Sequence, residues 1–147
     1  MSIAERLQQD TKTAMRSRDR ERLGTLRMLN AALKNGEIEA GRSLSEDEEQ
    51  VILRRQLKQR EESAEAFRKA GRQEQADSEA AEAGVVREYL PARLSAEELE
   101  RIVNQALQDT GASGMKDMGA AMGRATALAE GRAEGRELAA LVRNRLQ

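Results

Sequence analysis

Apolar residues recur along this chain three and four positions apart, the spacing that gathers side chains on one face of an α-helix. Ile3, Leu7, Thr11 and Ala14 form a first stripe. Leu23, Leu26, Leu29, Ala32 and Leu33 form a second, ending near Asn35-Gly36 or running on to Gly41. Leu53, Leu57, Ala64 and Phe67 follow at spacings of four, seven and three, then Ala76, Ala80, Ala83 and Leu90. Leu99, Ile102, Val103, Ala106 and Leu107 give a continuous face. Met118, Ala121, Met122, Ala125 and Ala129 mark the next stripe, and Leu138, Leu141, Val142 and Leu146 the last. Nowhere does the strict alternation of a strand replace this period, so the pattern predicts an all-α protein.

The polar residues between the stripes punctuate them. Ser45 stands three before Glu48, and Ser95 three before Glu98. This is capping-box spacing, in which the serine oxygen takes the backbone N–H of the third helical residue and the glutamate reaches back. Leu94 and Leu99 flank the second box as a hydrophobic staple. Gly71 suits the left-handed position after a helix, and a further helix begins near Gln73. Pro91 cannot continue a helix and pushes Leu90 toward extended backbone. These signals divide the chain into an N-terminal multi-helix domain, residues 1–92, and a C-terminal three-helix domain, residues 93–147. Within the latter, "GRAEGRELAALV" from Gly131 reads as a helix end, a short connection and a new helix. A phosphate-binding loop would follow a strand and end in Lys-Ser/Thr, and neither is present.

Composition narrows the chemistry. The 147 residues suffice for one ordinary domain or two small ones. One Phe and one Tyr make up the aromatic content, so the core must be aliphatic. With no His and no Cys, the chain has no thiolate nucleophile, disulfide, Cys/His zinc site or histidine base. Charged residues occupy the N-terminus where a secretory signal needs an apolar run, and no stretch is long and apolar enough to span a membrane. A cytoplasmic location is expected. The net charge of −1 is unevenly spread: residues 1–42 carry +3, residues 43–113 carry −6 and residues 114–147 carry +2.

Five segments occur in order: "LRMLNAALKNGEIE", "LKQREESAEAFRKAGR", "EYLPARLS", "MKDMGAAMG" and "GRAEGRELAALV". Together they resemble the GatB/YqeY family, specifically its stand-alone YqeY-like members, over essentially the whole chain. The resemblance implies a C-terminal three-helix domain similar to the tail of the B subunit of the tRNA-dependent amidotransferase. That tail is understood to contact tRNA while the catalytic centre lies elsewhere. The link is therefore to carbon–nitrogen ligase activity with glutamine as amido donor. The sequence departs from the family pattern at Ala120, where relatives carry lysine, along Thr126 to Glu130, which holds no base, and at Glu134, which replaces an aspartate and is a poorer helix cap.

The bases of the tail, Lys116, Arg124, Arg132, Arg136 and Arg143, are the candidate nucleic-acid contacts; Arg145 adds a sixth base. Arginine forks suit phosphate. Arg124 and Arg132 lead because they flank the two motifs that resemble the amidotransferase tail. Arg132 with Arg136 and Glu130 with Glu134 are like-charge pairs at i,i+4 spacing, which slightly favours an outside partner. Gly119 and Gly123 share a methionine-lined helix face and read as a site of close internal packing; the other reading is approach by a nucleic-acid backbone. Arg16, Arg18, Arg20 and Arg22, interleaved with Asp19 and Glu21, read as a solvated turn. The acids Glu46 to Glu49, Glu61, Glu62 and Glu65 read as helix-dipole and solvating groups. No metal site, no cofactor, and no Ser-Ser-Lys amidase relay is recognisable, so no intrinsic catalysis is expected. The expected function is tRNA or structured-RNA binding by the C-terminal helices. A folded RNA gripped at its backbone fits better than a single strand, which is read by aromatic stacking. The alternatives are a protein–protein adaptor using the N-terminal hairpins, or an enzyme component active only in complex.

Overall fold

A computed structural model describes all 147 residues, and every regular element in it is helical. The chain forms two compact units, Met1–Leu90 and Pro91–Gln147.

The first unit holds four helices: α1 (Ile3–Ser17), α2 (Arg20–Ala40), α3 (Glu46–Lys69) and α4 (Gln73–Arg87). Helices α1 and α2 pack together, α3 and α4 form a long hairpin, and α2 lies against both arms of it. The core is aliphatic, built on Ile3, Leu7, Ala14, Leu26, Leu29, Leu33, Leu53 and Val86, with Tyr89 as its one aromatic. α2 does not end at Asn35-Gly36. It continues to Ala40 and stops where Gly41 adopts a left-handed φ of 69°. Gly36 is inside the helix for a packing reason: a Cβ there would collide with Ile52 Cδ1 and lie 3.2 Å from Leu44 Cδ1. The capping box at Ser45 is formed, and four acids crowd the first turn of α3. One of them departs from the solvated role expected for it. Glu49 is 3% exposed, and its Oε2 accepts the Ala4 N–H at 2.8 Å, at the start of α1. Ala80, expected on the buried face of α4, is exposed; Ala76, Ala83 and Val86 carry that face instead.

Polar side chains tie the four helices together. The Tyr89 hydroxyl donates to Asp10, Arg6 lies 4.9 Å over the Tyr89 ring, and Arg22 bridges to Glu88 at 2.7 Å. Burial and the neighbouring Asp10 carboxylate push the Tyr89 hydroxyl pKa up, so it stays protonated and keeps donating. Asn30 on α2 donates to the Thr11 hydroxyl on α1 at 3.0 Å. Half-buried Arg60 on α3 stands 3.4 Å from Glu79 and 3.7 Å from Glu82 on α4.

The second unit holds α5 (Ala96–Thr110), a single 3₁₀ turn (Met115–Asp117), α6 (Met118–Ala129) and α7 (Gly135–Leu146). Its separate core comprises Val103, Ala106, Ala121, Ala125, Ala129, Leu138, Val142 and Leu146. Ser95 and Glu98 form the second capping box, and Gly111 ends α5 with a φ of 64°. Asp117 then fixes the loop, accepting from the backbone N–H groups of Ser113 at 2.9 Å and Gly114 at 3.4 Å. These bonds hold its carboxyl below the usual range.

Candidate nucleic-acid interface

The corner between α6 and α7 answers what "GRAEG" does. α6 ends at Ala129, Glu130 and Gly131 both turn with positive φ, and α7 starts at Gly135. The corner then grips the segment that follows Pro91. The Leu94 N–H donates to the Arg132 carbonyl at 2.9 Å, and Arg132 Nε donates to the Ala92 carbonyl at 2.8 Å. Arg93 bridges to Glu134 at 2.7 Å and reaches Glu137 at 3.9 Å. The motif is thus a clasp that pins the entry segment of its own unit. Glu134 caps α7 without a side-chain hydrogen bond, as its substitution for aspartate suggested, because its carboxylate is turned to Arg93. Glu130 and Arg132 lie outside the helices, so the like-charge helical pairs expected there do not form; Arg132 instead stands 3.6 Å from Glu98.

The five expected contacts therefore divide. Arg132 is half-buried and committed to Ala92 and Glu98. Arg124 is exposed, but its Nε is bound to Asp109 at 2.8 Å, tying α6 to α5 and holding the Asp109 carboxyl low. The two arginines that led the expectation are thus occupied within the fold. Lys116, Arg136 and Arg143 are exposed and reach no carboxylate. Arg136 and Arg143 are seven apart on α7, one above the other and about 10 Å along the axis. Arg145, by contrast, is held by Glu100 at 2.8 Å and by Asn104.

The glycines of α6 also overturn the reading from sequence. Gly119 and Gly123 do not face a helix: both are exposed, and a Cβ on either would meet nothing within 4 Å. The buried stripe runs through Ala121, Ala125 and Ala129, with Met118 and Met122 at its edge. The opposite face presents Gly119, Ala120, Gly123, Thr126 and Ala127 to solvent. These five residues carry only short side chains, and Arg124, held to Asp109, borders the strip beside Ala120 and Ala127, so a ligand backbone can approach the helix alongside that arginine. No helix in either unit is long and apolar enough to cross a membrane.

Comparison with known proteins bears out the family resemblance. The family model described as "Yqey-like protein" matches residues 4–146. The chain is 30% identical over 134 residues to Altered inheritance of mitochondria protein 41, mitochondrial, from Pyrenophora tritici-repentis, covering 89% of this chain and 73% of that protein. The chain belongs to the YqeY-like family.

Proposed function

We propose that the C-terminal unit grips the phosphate backbone of tRNA or another folded RNA, in the setting of glutamine-dependent aminoacyl-tRNA amidotransfer, and that the chain itself carries no catalytic centre. A cytoplasmic setting belongs to the same proposal. The observation that carries it is the outer face of α6. Its two glycines serve no internal packing, although each costs about 1 kcal/mol of helix stability relative to alanine. A helix that leaves such a face bare suits a partner that must approach its backbone closely. Arg136, Arg143 and Lys116 supply unneutralised charge in the same unit. Arg124 and Arg132 act in the proposal as parts of the frame.

The test is titration of labelled tRNA at two salt concentrations. Binding should weaken with salt, because each neutralised phosphate releases counterions. Arg136→Ala and Arg143→Ala should each lower affinity and flatten the salt slope by about one unit. Gly123→Gln should weaken binding with no loss of helicity. Absence of binding at low salt would leave the adaptor reading, which has its own observation in the N-terminal unit: Ile38 and Val51 stand 68% and 48% exposed.

A further inference from the structure

Arginines crowd the α1–α2 corner beyond what the fold uses: Arg22 pairs with Glu88 and Arg16 suits the last turn of α1, and the others have no such duty. Between Lys12 and Lys34 the chain carries seven cations against two acids. Arg16, Arg18, Arg20 and Arg27 are all exposed, and none reaches a carboxylate. Of the two acids, Asp19 is committed to the fold: it caps α2, accepting the Arg22 N–H at 3.2 Å. Glu21 lies on the flank of α2, about 100° round from Arg20.

The outer face of α2 is regular. Arg20, Gly24, Arg27, Ala31 and Lys34 follow at spacings of four, three, four and three, and all five are exposed. The three cations are thus in line at intervals of about 10 Å, given the helical rise. The residues between them are a glycine and an alanine, and a Cβ on Gly24 would meet nothing within 4 Å. No acid lies on this line; Lys34 alone has a distant partner, Glu37 at 3.8 Å.

The start of α2 places two of its cations where a helix gains least from them. The first turn of a helix is the positive end of its dipole and favours carboxylates. α3 obeys with Glu46, Asp47, Glu48 and Glu49, and α5 with Glu97 and Glu98. α2 is capped by Asp19 and holds Glu21 in its first turn, but Arg20 and Arg22 stand beside these acids, preceded by Arg18 in a left-handed conformation with φ of 59°. Exposed cations in line, with Arg20 at the disfavoured end of the helix and neither Arg20 nor Arg27 paired, match an external polyanion. Gly24 and Ala31 alone stand between the charges. Exposed Ile38, four past Lys34, and exposed Met15 beside Arg16 are isolated apolar side chains, while the continuous apolar face of α2 is buried in the core, so the helix lacks a free apolar face with which to enter a lipid surface. Arginine forks over a floor of small residues fit phosphodiesters.

We infer that the outer face of α2, with the corner arginines Arg16 and Arg18, is a second RNA-binding surface, one that lies along the phosphate backbone of a duplex segment and is separate from the face of the C-terminal unit. Binding there is electrostatic and indifferent to sequence.

The experiment uses the full chain and a labelled RNA hairpin with a duplex stem, titrated at 50 and 200 mM salt (concentrations of roughly the range over which phosphate contacts are resolved). Arg20→Ala with Arg27→Ala should weaken binding and flatten the salt slope by about two units. Gly24→Gln, which changes no charge, should also weaken binding. Arg55→Ala with Arg72→Ala removes two exposed, unpaired cations elsewhere in the same unit and should leave affinity near that of the wild type. Arg20→Glu should abolish this contribution without lowering the melting temperature, since a carboxylate suits the first turn of a helix. Three results would overturn the inference: hairpin affinity unmoved by the α2 changes, an equal loss with the Arg55/Arg72 control, or an Arg20-dependent interaction found only with phosphatidylserine vesicles. Loss of binding with the Arg136 and Arg143 changes alone would sustain the C-terminal reading and sink this one; the converse result would do the opposite.

Discussion

At the residue scale, Glu49 shows how one position escapes a reading by composition. In the run Glu46, Asp47, Glu48, Glu49 all four look alike, and a solvated helix start explains them all. The distinguishing signal is phase: Glu49 lies four before buried Leu53, on the same face, whereas Glu46 and Asp47 point outward. Its partner, the Ala4 N–H, is 45 residues away, so no local pattern names it. The bond satisfies one of the orphan donors at the start of α1, and the carboxylate sits at the positive end of that helix. Glu49→Ala removes the acceptor and leaves a part-buried N–H unpaired. It should cost about 1–3 kcal/mol, measured by urea unfolding. Glu49→Gln keeps an oxygen acceptor and should cost less. Equal, near-zero effects of both would show that the contact contributes nothing. Glu48 is the opposite case, an acid whose role was legible from its distance to Ser45. Arg42 foremost, and then the Ser45 backbone and hydroxyl, lower its pKa to about 2. The folded value is depressed, so its contribution is present above the ordinary value of 4.5 and is lost as pH falls toward about 2. Arg42→Ala should raise the Glu48 pKa, followed by its side-chain carbonyl resonance, and should reduce the loss of stability across that acid window.

At the scale of elements, helix starts and stops were readable because they depend on short-range chemistry. The two serine boxes, Gly71, Gly41 and the turn at Gly131 all lie where local rules put them. Faces composed of small residues were not readable. Alanine tolerates either side of a helix, which is why Ala80 was placed inward and is exposed. Glycine beside methionine is equally ambiguous: each glycine of α6 follows a methionine by one residue, yet that step is a turn of about 100°, enough to carry it out of the core. Gly36 shows the other outcome, a helical glycine with Ile52 and Leu44 against it. The contrast is testable. Gly119→Ala and Gly123→Ala fill empty space on an exposed helix and should each stabilise the unit by about 1 kcal/mol. Gly36→Ala forces Ile52 aside and should gain less, with the difference restored in an Ile52→Val background. Denaturant midpoints of the four variants decide it; destabilisation by either α6 alanine would return those glycines to a packing role.

At the scale of the whole molecule, the distribution of charge and the distribution of apolar contacts tell different stories. Net charge is near zero, yet many cations stand unpaired, while others are consumed by neighbours: Arg22 by Glu88, Arg42 by Glu48, Arg93 by Glu134, Arg124 by Asp109, Arg145 by Glu100. Which arginines remain free is a tertiary fact. Sequence motifs selected Arg124 and Arg132 because they border the glycines, and the same proximity is what lets the fold use them. The apolar contacts are more transparent. The core around Val103, Ala121 and Leu138 draws on residues of Pro91–Gln147 alone, and the clasp of Arg132 on Ala92 closes within the same stretch. A fragment of those 57 residues, Pro91 to Gln147, thus retains its core, its capping box and its clasp. It should be helical by circular dichroism and unfold cooperatively. Its stability should be marginal, since a chain near 60 residues buries only about 60% of its surface. The clasp should then matter more in the fragment than a surface contact usually does. Arg132→Ala removes the Ala92 bond and the approach to Glu98 together, and should lower the fragment's melting temperature by several degrees, since about 1 kcal/mol shifts a domain of this size by roughly 4–8 °C. An unstructured fragment would show that the second unit depends on the first, and an Arg132→Ala fragment with unchanged melting would free that arginine to serve RNA instead of the fold.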